Sequence, residues 1–306
     1  MHSASLSSSH WSRRAFLGGL TAAALPGATH RIDRSRLSAI TDEIARSNRG
    51  AVAFARQYGL QWLELRSQPT GRGEYFMLPE AELKQTAQEF RDGGVKLSFL
   101  NTSMLKYMLP GTTPTNSRTR DSGRFEKRKD ELRRALDAAH IFGCNKVRVF
   151  TFMRCRGQEQ LWSKIGDLIG ELAEVAGREK IQLLVENEGA CTVGSNAELV
   201  ALLKHIPSKW VGINWDPHNA AHSNEVAFPD GYLLLPAKRV WNVQVKARSI
   251  LPGPERMDWA AIFRRLEQDG YQGQVGLETH IFGDIQIQKS HESMREMLRL
   301  AGVDLT

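Results

Sequence analysis

Four polar side chains recur along the second half of the chain, each at the end of a short apolar run. Residues 181–185 lead into Glu186, residues 212–215 into Asp216, residues 240–243 into Gln244 and residues 275–277 into Glu278. The intervals between them are 30, 28 and 34 residues, close to the roughly 30 residues of one βα unit. A strand ending in an acid is common and says little alone; four in phase say more. Pro217 biases Asp216 towards extended backbone, as expected where a strand delivers a ligand to the rim of a fold. Three carboxylates and one amide oxygen are hard donors of the kind that suit Mg²⁺ or Mn²⁺, with Co²⁺ and Zn²⁺ admitted. Four protein ligands would leave open positions for a substrate carbonyl and its neighbouring hydroxyl. Polarised together, these favour loss of the adjacent proton as an enediolate. Glu186 and Glu278 are expected to remove and return that proton while also touching the metal. Asp216 and Gln244 are expected to be structural ligands.

A set of strand ends can meet only if the elements between them fold into one closed array. The first strand is expected at 37–40, followed by Thr41-Asp42-Glu43, and a helix at 47–58 closed by Gly59. Strand 61–66, helix 80–91 and strand 95–100, ending at Asn101, follow. Residues 102–123 are rich in Thr, Ser, Pro and Gly and too long for an ordinary connection. A substrate lid is expected there. A helix at 125–142, a strand at 146–150 and a helix at 159–176 complete the first half. Helices at 197–205, 228–235 and 259–269 separate the four ligand-bearing strands, and one at 292–300 closes the chain. Strand and helix alternate throughout, which argues for an α/β fold, a (β/α)8 TIM barrel with its site on the C-terminal face. No glycine-rich phosphate fingerprint follows the first strand to support an open dinucleotide-binding sheet.

The 306 residues, 41% hydrophobic, match one barrel of about 250 residues plus a leader. No apolar run approaches the roughly 18 residues of a membrane span. Ser12-Arg13-Arg14-Ala15-Phe16-Leu17-Gly18-Gly19, with no acid before it, reads as a twin-arginine export signal. Residues 1–28 are assigned to that signal, 29–36 to a polar linker and 37–306 to the barrel. The mature chain is therefore expected in the periplasm or otherwise exported, with the Tat machinery as its export partner. The formal net charge is +7, and without Arg13 and Arg14 it is +5. Lacking Lys/Arg blocks interleaved with aromatics, this charge gives no argument for nucleic acid. Cys144, Cys155 and Cys191 have no metal-type spacing; Cys144 and Cys191 read as core thiols, and any pairing stays open. Homo-oligomerisation is equally open.

Val185-Glu186-Asn187, Trp215-Asp216-Pro217-His218-Asn219, Val243-Gln244-Val245-Lys246 and Gly276-Leu277-Glu278 resemble the xylose-isomerase-like barrels. That superfamily includes sugar phosphate isomerases and epimerases, ketose 3-epimerases, dehydratases and apurinic-site endonucleases. The resemblance covers nearly all of residues 37–301 and implies a metal bound by Glu186, Asp216, the ligand of the third of these strands and Glu278. The third ligand is usually His in a His-x-Lys stretch and here is Gln244, a harder donor that favours Mg²⁺ or Mn²⁺ over Zn²⁺. The substrate is expected to be a sugar or related polyhydroxy carbonyl compound, touched by Lys246, His218, Glu64, Asn101, Arg148 and His280. Glu64 and Arg66 share a strand face and read as an ion pair; Arg148, inside a strand, needs a carboxylate partner or an anionic substrate. The leading reading is an exported metal-dependent isomerase or epimerase. A lyase that expels a β-substituent from the same carbanion is the alternative, and a sugar-binding barrel without turnover a third. The endonuclease reading is weakest, because its site is fed by many histidines and this chain has nine in all.

Overall fold

The computed structural model describes residues 31–71, 73–115 and 123–304; the export-signal segment lies outside them. Eight parallel strands form one sheet: β1 Leu37–Ala39, β2 Trp62–Leu65, β3 Lys96–Leu100, β4 Lys146–Val149, β5 Gln182–Glu186, β6 Val211–Trp215, β7 Val240–Lys246 and β8 Gln274–Glu278. Their order is β1-β8-β7-β6-β5-β4-β3-β2, and a parallel bridge between Ile40 and Glu64 draws the two ends together. The result is a TIM barrel, nearly closed, with helices between successive strands.

Alternation along each strand decides what faces where. On β7 and β8, Val243, Val245, Val275 and Leu277 join the apolar core under the helices. The alternate positions Asn242, Gln244 and Glu278 are buried polar groups. The helix Asn48–Tyr58 starts at Ser47, whose hydroxyl accepts from Gly50 N, and stops at Gly59 in left-handed conformation. Both signals were legible in the sequence.

Several elements differ from expectation. Thr41–Ile44, expected at the end of the first strand, is a short helix. Strand β7 runs on to Lys246, so Gln244 lies within the strand instead of at its end. The helix expected at 228–235 is a π turn, Ala227–Gly231, followed by Tyr232–Leu234. Phe228 there is extended (φ −147°, ψ 136°), and Pro229 has no amide hydrogen to continue a helix. The closing helix starts at Gln286, earlier than expected, because Gln286 and Ser290 bond to Asp42 O and Glu43 O. Residues 31–36 are docked rather than a free linker: Ile32 is buried and Arg36 donates to Gly273 O and Tyr271 O.

The described part of the expected lid, residues 102–115, packs as a strap along the next loop. Phe150 N, Phe152 N and Met153 N donate to Met104 O, Leu105 O and Tyr107 O at 2.9, 2.8 and 3.0 Å. Lys106 Nζ crosses to Glu188 Oε2 at 2.9 Å over the Phe150 ring. The three cysteines are buried and free.

Candidate metal centre and active site

The barrel brings the four ligand candidates together at the C-terminal ends of β5 to β8. Glu186 and Glu278 are the last residues of their strands, and Asp216 follows β6 as the N-cap of Pro217–Ala221. One oxygen from each of Glu186, Asp216 and Glu278 lies within 4.8 Å of the others. Gln244 is fully buried on β7, between the strands that carry Asp216 and Glu278, and none of the four exceeds 4% exposure. A surface cleft of about 690 Å³ lined by Arg256, Arg295 and Arg299 lies elsewhere, so size does not mark the site. Burial and bonding do.

Each of the four side chains is anchored by one atom, and Gln244 and Glu278 each leave another oxygen without a hydrogen-bond partner. Glu186 Oε2 accepts from Arg148 Nη1 at 3.0 Å and from Asn214 Nδ2. Asp216 Oδ1 accepts from Asn219 N at 2.9 Å, while Oδ2 is ion-paired with Lys246 Nζ at 2.9 Å. Lys246 Nζ also donates to Asn219 Oδ1 at 2.5 Å. Gln244 Nε2 donates to Glu64 Oε2 at 2.9 Å, and its Oε1 is unpartnered. Glu278 Oε1 accepts from Arg66 Nη1 at 3.0 Å, and its Oε2 is unpartnered. Buried acceptors without donors cost about 1–3 kcal/mol each, and Gln244 Oε1 and Glu278 Oε2 are two such atoms. A divalent ion fits them.

Glu64 explains why Gln244 presents oxygen. A carboxylate accepts only, so it can hold only the NH2 end of the amide, and Oε1 points the other way. Glu64 also accepts from Ser38 Oγ at 2.7 Å and Asn101 Nδ2 at 2.9 Å. Gly276 makes room for it: a Cβ there would lie 2.1 Å from Glu64 Oε1. Glu64 and Arg66 do not pair with each other. Arg66 instead spans Asp42 at 2.6 Å, Glu43 at 2.8 Å and Glu278 at 3.0 Å.

The electrostatics separate the two glutamates. Burial pushes Glu186 up to about 7, opposed by Arg148 and reinforced by Glu278 and Asp216. Burial also raises Glu278, but Lys246, His280, Arg66 and Arg148 outweigh it and hold the carboxyl well below its ordinary value. Burial alone would lower Lys246, yet Asp216, Glu278 and Glu186 keep it above the ordinary lysine value.

The remaining candidates sit as follows. Arg148 is buried, paired with Glu186, and donates to Thr102 O at 3.1 Å. Asn101 is buried with Oδ1 unpartnered. His280 Nδ1 is 3.7 Å from Glu278 Oε1 at the exposed rim. His218 turns to Glu255, with Nε2 2.7 Å from Oε2. Sequence reasoning missed Asn187, which takes Asp216 N on Oδ1 and gives Nδ2 to Asp216 O, at 2.9 and 2.7 Å. Its position directly after Glu186 was the available signal. It also missed Asn214, two residues before Asp216 on the same strand face, and Glu255, for which no signal existed.

Comparisons with known proteins agree with this fold. Among solved structures, the chain is similar to the IolI protein with a bound zinc atom (14% identity, 87% of this chain and 96% of that one, TM-score 0.67). It is similar to 3-keto-D-glucoside 4-epimerase, YcjR, from E. coli in its apo form (14%, 86% and 98%, TM-score 0.65). It is also similar to the probable 3-DHS dehydratase AsbF from Bacillus anthracis (15%, 85% and 97%, TM-score 0.63). At such identities the likeness shows the fold. No curated protein sequence matches significantly. The family model described as xylose isomerase-like TIM barrel matches residues 52–300, and the chain belongs to that family.

Proposed function

We propose that this chain is a divalent-metal-dependent isomerase or epimerase of a sugar or related polyhydroxy carbonyl compound. The observation that carries the reading is the buried carboxylate cluster of Glu186, Asp216 and Glu278 with the unpartnered oxygens Gln244 Oε1 and Glu278 Oε2. Glu186, Asp216, Gln244 and Glu278 would hold the ion, and all-oxygen donors favour Mn²⁺ or Mg²⁺. When bound, the ion supplies Lewis-acid stabilisation of negative charge beside the carbon that loses its proton. The protein does the rest. Arg148 and Asn214 fix Glu186 Oε2, leaving Oε1 to take or return a proton. Arg66 fixes Glu278 Oε1, leaving Oε2 to face the ion. Lys246, held protonated, places a positive charge over the same pocket. The near-zero exposure of these groups excludes water, which strengthens every charge interaction among them.

The test is incubation of the Mn²⁺-loaded chain with keto-sugars in deuterated water. Deuterium on the carbon next to the carbonyl, absent with Glu186→Gln or Glu278→Gln, supports the reading. Gln244 in place of the usual histidine favours a second reading, a lyase acting through the same residues. It predicts release of water or an aglycone instead of label in recovered substrate. Tight sugar binding with neither outcome points to a binding barrel. Arg13 and Arg14 support export by the twin-arginine route; a cytoplasmic, uncleaved chain on cell fractionation would reject that part.

A further inference from the structure

The loops after β6 and β7 carry a second set of metal-type donors that the proposed reaction does not use. His218 lies in Pro217–Ala221 and His222 is its C-cap, an i, i+4 pair on one helix face. Their ring centroids are 4.2 Å apart. Both Nε2 atoms aim at one oxygen, Glu255 Oε2, at 2.7 Å for His218 and 3.4 Å for His222. Glu255 arrives from the loop after β7, and Arg248 Nη1 lies 3.6 Å from its other oxygen. The three residues can bring one donor atom each to within 4.8 Å of one another.

The carboxylate oxygen receives one short approach and one long one. A metal ion fits this convergence, because each Nε2 can offer its lone pair and the carboxylate its charge. We propose that His218, His222 and Glu255 form a zinc-type cation site, distinct from the all-oxygen site at the strand ends. Two imidazoles and one carboxylate are a three-ligand zinc set that leaves a fourth tetrahedral position open. Such donors are softer than the carboxylate and amide oxygens of the first site, so the two sites select different ions. His222 is exposed and Glu255 half-buried, so the fourth position opens to solvent. An ion here ties the helix that Asp216 caps to the loop after β7, bracing the rim beside the first site.

The test uses the full chain, stripped by chelator and titrated with Zn²⁺ and then Co²⁺. Wild type and Glu278→Gln should both hold a zinc that His222→Ala and Glu255→Gln bind more weakly. The loss should exceed the roughly 10- to 100-fold that removing even an outer partner of a metal costs. Co²⁺ should give the intense visible band of a four-coordinate ion in wild type and Glu278→Gln, and lose it in His222→Ala. His222 is exposed, so its truncation leaves the fold intact. Equal zinc affinity and an unchanged cobalt spectrum in wild type and His222→Ala would overturn the proposal. Because Glu278→Gln weakens the first site and leaves the second intact, unchanged behaviour of the second there keeps the two claims separate.

Discussion

At the scale of single residues, the site is a collection of side chains tied at one end. Glu64 matters most among the residues that touch no ligand, because it alone determines which end of the Gln244 amide faces the pocket. Glu64→Gln removes that control, since an amide can donate or accept. Mn²⁺ affinity should fall about 10- to 100-fold, as for other outer partners of a metal. Stability should fall by about 1–3 kcal/mol, the cost of a disturbed buried polar group. Isothermal titration and thermal unfolding measure the two effects. Unchanged Mn²⁺ affinity would mean that Glu64 does not orient Gln244. This residue was legible as a site candidate, but its role was not. Its neighbour Arg66 suggested a pair within one strand, whereas Arg66 reaches Asp42, Glu43 and Glu278 on other elements. Partners supplied by distant segments leave no mark on local sequence.

At the scale of elements, the strand phase was legible because apolar runs ending in polar groups recur once per βα unit. Caps such as Ser47 and Gly59 were equally readable. The run Val245-Lys246 was harder, since one more alternation looks the same as the start of a loop. The segment 228–235 failed because its apolar content suggested a helix that Phe228-Pro229 interrupts. The helix Pro217–Ala221 offers a prediction of its own, because Asp216 is both its cap and a ligand candidate. Asp216→Ala loses the cap, at about 1 kcal/mol, and leaves buried Lys246 without its charge partner. Asp216→Asn keeps a good capping oxygen. Both variants should lose Mn²⁺, but the Asn variant should melt closer to wild type. Equal melting temperatures would show that the cap contributes nothing.

At the scale of the whole molecule, the barrel carries ionisable groups at both ends of its interior. On the floor, Lys146 Nζ donates to Trp241 O at 3.1 Å and Gln274 Oε1 at 2.9 Å, with no carboxylate in contact. Burial pushes its amine down to about 8, with Glu64 opposing. The unfolded lysine titrates near 10.4, so between about 8 and 10.4 the unfolded chain binds more protons. Lys146 therefore makes stability rise with pH across that window and costs stability below it. Lys146→Met should flatten that rise and melt higher than wild type at pH 7; unfolding curves from pH 7 to 10.5 with the same shape in both proteins would contradict this.

The central claim is that Glu186, Asp216, Gln244 and Glu278 hold one divalent ion, with Gln244 contributing a free amide oxygen. Mn²⁺ titration of wild type against Gln244→Leu and Glu278→Gln tests it most directly. The account predicts one Mn²⁺ per wild-type chain and an affinity at least roughly tenfold weaker in both variants, each still folded by thermal unfolding. A folded wild type that takes up neither Mn²⁺ nor Mg²⁺, or a Gln244→Leu variant that binds Mn²⁺ as tightly as wild type, would contradict it.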